Sequence, residues 1–240
     1  MRTAIVPALA LLLACAAPSF VAYADTPPAA APPAAAAPAG PTPLPDADMT
    51  NVVSKVQAFY NQSNTFKSDF TQHFTAKLYN KEKTSAGSVE FSKPGKMNWV
   101  YSDPAGNRVV SDGSLLRVYE ADSKQMFEQT VDKSQYPAAL GFLLGSAKLA
   151  DTFDFKLYDG ASYGFKGGQV LVGVPKVASP SYDKVLFYVD TSTSQVRRVL
   201  IKDAKGNLNR FDFKNPKVNE AVPAGDFTFT PPPGTSIVRP

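Results

Sequence analysis

The chain has 240 residues, 44% of them hydrophobic and 11% aromatic, with a formal net charge of +4. That length suits one domain with a sizeable core plus appended segments. The charge excess is small and its lysines and arginines are interleaved with acids, which argues against nucleic acid as a partner.

The first 24 residues read as an export signal. Arg2 supplies the positive start, residues 4–17 the apolar stretch and Ala22-Tyr23-Ala24 a small-x-small cleavage site. A second reading stands beside it, since Leu12-Leu13-Ala14-Cys15 is a tolerable lipobox in which Cys15 would be acylated. No later stretch is long and apolar enough to span a membrane. Residues 25–45 form a linker, and 26–45 contain eight prolines and eight alanines. Such a composition buries too little apolar surface to fold, and in extended polyproline form it would reach roughly 60 Å.

A domain over residues 46–240 follows. Residues 46–61 are predicted as a helix with Met49, Val52, Val53, Val56, Phe59 and Tyr60 on one stripe and Asp46 or Asp48 as N-cap. From Thr65 the period changes to two. Phe66, Phe70, Phe74 and Leu78 share one strand face, while Lys67, Asp69, Thr71, His73 and Thr75 take the other.

Residues 87–113 read as three short strands joined by two turns. Val89 and Phe91 alternate before Lys93-Pro94-Gly95, and Met97, Trp99 and Tyr101 share the next strand face. Asp103-Pro104-Ala105-Gly106 turns the chain into Val109 and Val110, and Asp112-Gly113 closes a hairpin. Residues 115–120 and 125–129 form a further hairpin. Residues 136–145 are apolar on all sides, with Pro137 suited to a helix start and Gly145 to its end. Leu140, Phe142, Leu143 and Leu144 belong to this segment. Strands resume at 153–158, 169–175, 184–190, 195–202 and 208–213, and a last short piece at 227–234 ends the domain. About eleven strands and two or three helices make a mainly β fold, an antiparallel sheet strongly curved or rolled into a partial barrel.

Catalytic chemistry is missing by subtraction. His73 is the one histidine and sits on a polar strand face, and cleavage of the signal would leave no cysteine. Metal clusters and Cys/His catalysis are therefore excluded. No Gly-x-Ser-x-Gly elbow is present, and Gly164-Phe165-Lys166-Gly167-Gly168 lacks the Lys-Ser/Thr of a phosphate loop. Neither an enzyme nor a cofactor is expected. The positive signal is an excess of apolar sheet face over helices available to cover it. A curved apolar interior beneath an apolar segment suits a greasy ligand. The alternative is that the aromatics and the helix simply fill one another's core, which would make the chain an envelope structural or interaction domain.

Taken in order, Phe66-x3-Phe70-Thr71-Gln72, Lys93-Pro94-x2-Met97-Asn98-Trp99-x-Tyr101, Val110-Ser111-Asp112-Gly113, Tyr136-Pro137 and Phe227-Thr228-Phe229-Thr230-Pro231-Pro232-x-Gly234 resemble the LolA-type periplasmic lipoprotein carriers. The resemblance covers about Val52 to Val238. It implies an unclosed antiparallel β-barrel with a helical lid over a hydrophobic cavity. It further implies a monomeric carrier in the periplasm. Such a carrier takes acylated lipoproteins from an inner-membrane ATP-driven release complex to an outer-membrane acceptor. Acyl-chain binding would fall to Phe66, Phe70, Phe74, Met97, Trp99, Tyr101, Leu140, Phe142, Leu143 and Leu144. Two positions depart from the family pattern. Lys93 stands where an arginine commonly helps control the lid, and Met97 where a large aromatic is usual. If Cys15 is acylated, the same fold becomes an anchored outer-membrane acceptor.

Overall fold

The computed structural model describes residues 40–131, 140–145 and 147–239. The signal, most of the linker, Cys15, and the expected helix start at Tyr136-Pro137 lie outside the described residues.

The described chain opens with one long helix, α1 (Asp46–Gln62). Its N-cap is Pro45, not Asp46 or Asp48 as expected. Both carboxylates fall in the first turn instead, where they face the positive end of the helix dipole. Val53, Val56 and Tyr60 of the apolar stripe are buried, with Met49, Val52 and Phe59 packed at its margin.

Strands β1 (Thr65–Ala76), β2 (Lys81–Ser92), β3 (Lys96–Asp103), β4 (Ala105–Asp112), β5 (Leu115–Glu120) and β6 (Gln125–Thr130) follow as a meander. Two short helices come next, α2 (Gly141–Leu144) and α3 (Leu149–Thr152). Strands β7 (Phe153–Asp159), β8 (Gly168–Pro175), β9 (Lys184–Asp190), β10 (Val196–Lys202) and β11 (Leu208–Val218) form a second meander. These eleven strands match those expected. A twelfth, β12 (Ser236–Val238), was not foreseen, because three residues carry no readable alternation. The piece at 227–234 is not a strand; it leaves a 3-10 turn, Ala224–Phe227, and runs as loop to β12.

All twelve strands lie in one sheet, in the order β12-β6-β5-β4-β3-β2-β1-β11-β10-β9-β8-β7. The two meanders join where β1 pairs antiparallel with β11, and only the β12–β6 pair is parallel. Strands β12 and β7 are edges, so the sheet is open and not a closed barrel. Register slips in the β1–β11, β2–β3, β3–β4 and β9–β10 ladders. Each slip sharpens the local bend and helps the sheet curl. At one slip Gly87 is obligatory, since a Cβ there would stand 2.0 Å from the Val100 carbonyl oxygen.

One face of the sheet turns inward. Its core gathers Phe66, Phe70, Val89, Phe91, Trp99 and Phe211 with α1, α2 and α3. The outer face carries a smaller cluster of Val170, Val172, Leu186 and Tyr188. Strand β1 ends at Ala76, two residues before Leu78, which is therefore in a turn and not on the strand face expected for it. The positive φ of Asn80, 46°, closes that turn.

Candidate functional site

Period-two alternation on antiparallel strands places the expected residues on one wall. Phe66 and Phe70 of β1 and Met97 and Trp99 of β3 are buried on the inner face, and Tyr101 is half-buried. Phe74 is 39% exposed, at the outlying end of the same row, and is not in the core cluster. Ring contacts tie the wall together. Phe70 lies 4.9 Å from Trp99 and 5.2 Å from Tyr101, edge to face. Trp99 also meets Phe211 of β11 at 5.2 Å, and Phe66 meets Phe213 at 5.7 Å. The wall thus spans both meanders. Phe91 was read as a strand residue but not assigned to the site, and Phe211, Phe213 and Phe187 were not singled out from the sequence, although the alternation of Phe211 with Phe213 marked those two.

The short helix α2 packs into the same core, beside α1 and β9. Leu140, Phe142, Leu143 and Leu144 are all buried in the same core. Phe142 stands edge-on to Tyr60 of α1 at 4.8 Å and to Phe187 of β9 at 5.5 Å. Gly145 ends α2 with φ of 72°, as Gly145 was expected to.

Lys93 occupies the junction of α1, α2 and the β2–β3 turn. Its ammonium donates to the Tyr60 carbonyl near the end of α1. Its stem passes under Gly145, where a Cβ would meet Lys93 Cδ at 3.0 Å. The neighbouring Gly95 N–H donates to the Leu144 carbonyl at 3.3 Å, and the Gln57 side chain accepts from Leu149 N–H at 2.8 Å. Removal from water holds the Lys93 ammonium below the ordinary lysine value. The hydrogen bond thus ties the β2–β3 turn to α1, while the stem of Lys93 lies against the end of α2.

Polar groups in this interior are few. Tyr101 Oη donates to Gln72 Oε1 at 3.0 Å, and Gln72 Nε2 to Asn209 Oδ1 at 2.9 Å, towards the Phe74 end. The Trp99 indole N–H is buried and has no acceptor among the described residues. Two surface grooves lie elsewhere. One of about 290 Å³ runs between α1 and α3, beside Gln57 and Lys148. The other, about 380 Å³, lies on the outer face over Arg198, Arg210 and Asp212. Among the described residues, no group of histidines, cysteines and carboxylates is placed to hold a metal ion. No described helix is long and apolar enough to cross a membrane.

The arrangement gathers aromatic and aliphatic side chains of the sheet and the short helices into one buried core. The outer-membrane lipoprotein carrier protein of Methylibium petroleiphilum is 30% identical over 192 residues, covering 78% of this chain and 89% of that one. The protein of the same name from Bordetella avium is 28% identical over 185 residues, covering 77% and 86%. An uncharacterised conserved protein of Thermus thermophilus shares the fold, with a TM-score of 0.50 and 13% identity over 80% of this chain and 99% of that one. Residues 61–230 match the family described as "Outer membrane lipoprotein carrier protein LolA", and the chain belongs to that family.

Proposed function

We propose that this protein is a periplasmic carrier that holds the acyl chains of lipoproteins against the inner face of its curved sheet. It takes cargo from an ATP-driven release complex of the inner membrane to an acceptor at the outer membrane, with no catalysis. The observation that carries this reading is the aromatic wall drawn from β1, β3 and β11, with the apolar side chains of α2 in the same core. Each buried acyl methylene is worth about 0.8 kcal/mol, so a multiply acylated protein does not leave a bilayer unaided. A carrier must match that apolar environment yet release its load, so its affinity has to stay well below the non-covalent ceiling near 18–21 kcal/mol. Cargo reaches the wall when α2 swings off it, and Lys93 at the base of α2 sets how readily that happens.

Purified protein should bind a diacylated lipopeptide with a change in Trp99 fluorescence. Met97→Glu, which puts a charge against the wall, should weaken that binding about tenfold or more. Trp99 emission indifferent to acyl chains would overturn the reading, and an unaffected Met97→Glu variant would remove Met97 from the site. The intact mass of protein from native membranes and periplasm settles anchoring. An N-terminus at Asp25 means a free carrier; a diacylglyceryl group on Cys15 means an anchored acceptor.

A further inference from the structure

Among the described residues, the three most exposed large apolar side chains, Leu78 at 82%, Val177 at 82% and Tyr79 at 70%, all sit at one end of the sheet. Leu78 and Tyr79 form the tip between β1 and β2, and Val177 follows β8. Strands β1 and β8 run the same way, because each of the four ladders separating them is antiparallel. A tight turn is ordinarily built from Gly, Asn, Asp, Ser or Pro. Asn80 alone supplies that chemistry here, and Leu78 and Tyr79, pointing into water, do nothing for folding.

Their neighbours are basic. Lys77, Lys81 and Lys83 flank the tip, all exposed, and among the described residues none of them is in an ion pair. The β10–β11 turn lies alongside, because Lys77 N–H donates to Asn207 Oδ1 at 3.0 Å. It adds exposed Lys202 and Lys205. Three acids stand among them, of which exposed Asp183, whose N–H donates to the Lys202 carbonyl at 2.9 Å, is offset by its exposed neighbour Lys184. Asp203 is consumed by its own turn, accepting from Lys205 N–H at 2.9 Å and from Asn207 N–H at 2.8 Å. Glu82 is exposed and cancels one of the five lysines.

We propose that this end of the molecule, led by Leu78 and Tyr79, docks on the surface of a bilayer containing anionic lipid. A leucine and a tyrosine enter the headgroup region, Tyr79 keeping its hydroxyl at the wet boundary. The lysines bury their stems and leave their ammonium groups among the phosphates. Two inserted side chains carry less apolar surface than one fatty-acyl anchor, which itself holds only marginally, so the contact is reversible. Phe74 follows on the inner face of β1, 39% exposed, so apolar surface continues from the tip towards the wall. The docking proposal stands apart from the carrier reading, because its experiment contains no cargo.

The test is cosedimentation of the protein with vesicles, using Cys15→Ser throughout so that no acyl anchor can form. Vesicles of phosphatidylethanolamine with phosphatidylglycerol should pellet the protein, and phosphatidylcholine vesicles should pellet far less. Leu78→Ser with Tyr79→Ser should lower partitioning about tenfold or more. Each of Lys77→Gln, Lys81→Gln and Lys83→Gln should lower it about fivefold. The tip is exposed, so the variants keep the parent's unfolding midpoint. Equal binding to both vesicle types, no binding at all, or tip variants that bind like the parent would each overturn the proposal. The last two outcomes would leave the tip to a protein partner or to no partner. Lipopeptide binding measured in the same variants separates a failed docking surface from a failed carrier.

Discussion

Trp99 is the largest fully buried side chain of the described residues, and its indole N–H has no acceptor among them. An orphaned buried donor costs about 1–3 kcal/mol, while the indole itself contributes ring contacts to Phe70, Phe91, Phe211 and Phe213. Trp99→Ala should therefore cost roughly 3–5 kcal/mol in urea unfolding. Trp99→Phe should cost far less, because it removes the orphan and keeps a ring. Equal losses in the two variants would mean that the N–H has a partner after all. Lys93 carries a different signature. Its ammonium is easier to deprotonate in the folded state than in the unfolded chain, whose value lies near 10.5. At lower pH both states are charged, and the folded state bears the cost of the partly dehydrated ammonium. As pH rises from the folded value towards 10.5 that cost is relieved, so this contribution to stability increases. Urea midpoints measured at about pH 8 and about pH 10 should show that increment in the parent and lack it in Lys93→Met. An unchanged profile would mean that Lys93 is effectively solvated.

At the scale of elements, the C-terminal segment braces the outer face of the first meander. Phe227 is buried, Phe229 lies 5.3 Å from the Tyr119 ring, and the Arg108 guanidinium sits over Phe229 at 5.3 Å. Arg108 also donates to the Asp226 carbonyl at 3.2 Å, and Arg239 pairs with Glu128 at 2.9 Å beside β12. Phe227→Ala should cost roughly 3–5 kcal/mol, almost entirely through unfolding and without loss of lipopeptide affinity. Weakened binding at full stability would place this segment in the site instead. How far such elements can be read from sequence depends on their length. Eleven strands and α1 were legible because each sustains a period over several residues. Residues 236–238 were not, since their strand exists only through pairing with β6. Leu78 was read as continuing the Phe66, Phe70, Phe74 row because it fits the period, and only the φ of Asn80 shows that the strand has already ended. Most of the aromatic wall was legible as a face of β1 and β3. Its closure by Phe211 and Phe213 depends on β1 pairing with β11 across about 140 residues, a join that local alternation does not contain.

At the scale of the molecule, an open sheet has two edges to protect. Strand β12 lies against β6, and Arg239 flanks it. The β7 edge meets the end of the proline-rich stretch, where Leu44 N–H donates to the Leu157 carbonyl at 2.7 Å. Pro43 and Pro45 on either side have no N–H to extend the pairing, so the contact blocks the edge without becoming a strand. Leu44 also packs on the core. Leu44→Asp should detach this cover, and sedimentation velocity should then show concentration-dependent association absent from the parent. A variant that stays at the parent's mass at every concentration would mean that β7 is protected by other means.

The seating of Phe142, Leu143 and Leu144 in the core has a thermodynamic consequence for any ligand that uses the same wall. The protein is then its own competitive inhibitor, present at a fixed effective concentration that dilution cannot lower. Three such side chains represent about 5–9 kcal/mol of burial, equivalent to about six to eleven acyl methylenes at 0.8 kcal/mol each. On the proposed carrier reading, observed affinity would be the difference between cargo binding and this internal rival. Trimming the rival, as in Leu143→Ala, would tighten binding and slow unloading together, so the two properties cannot be tuned separately at that position.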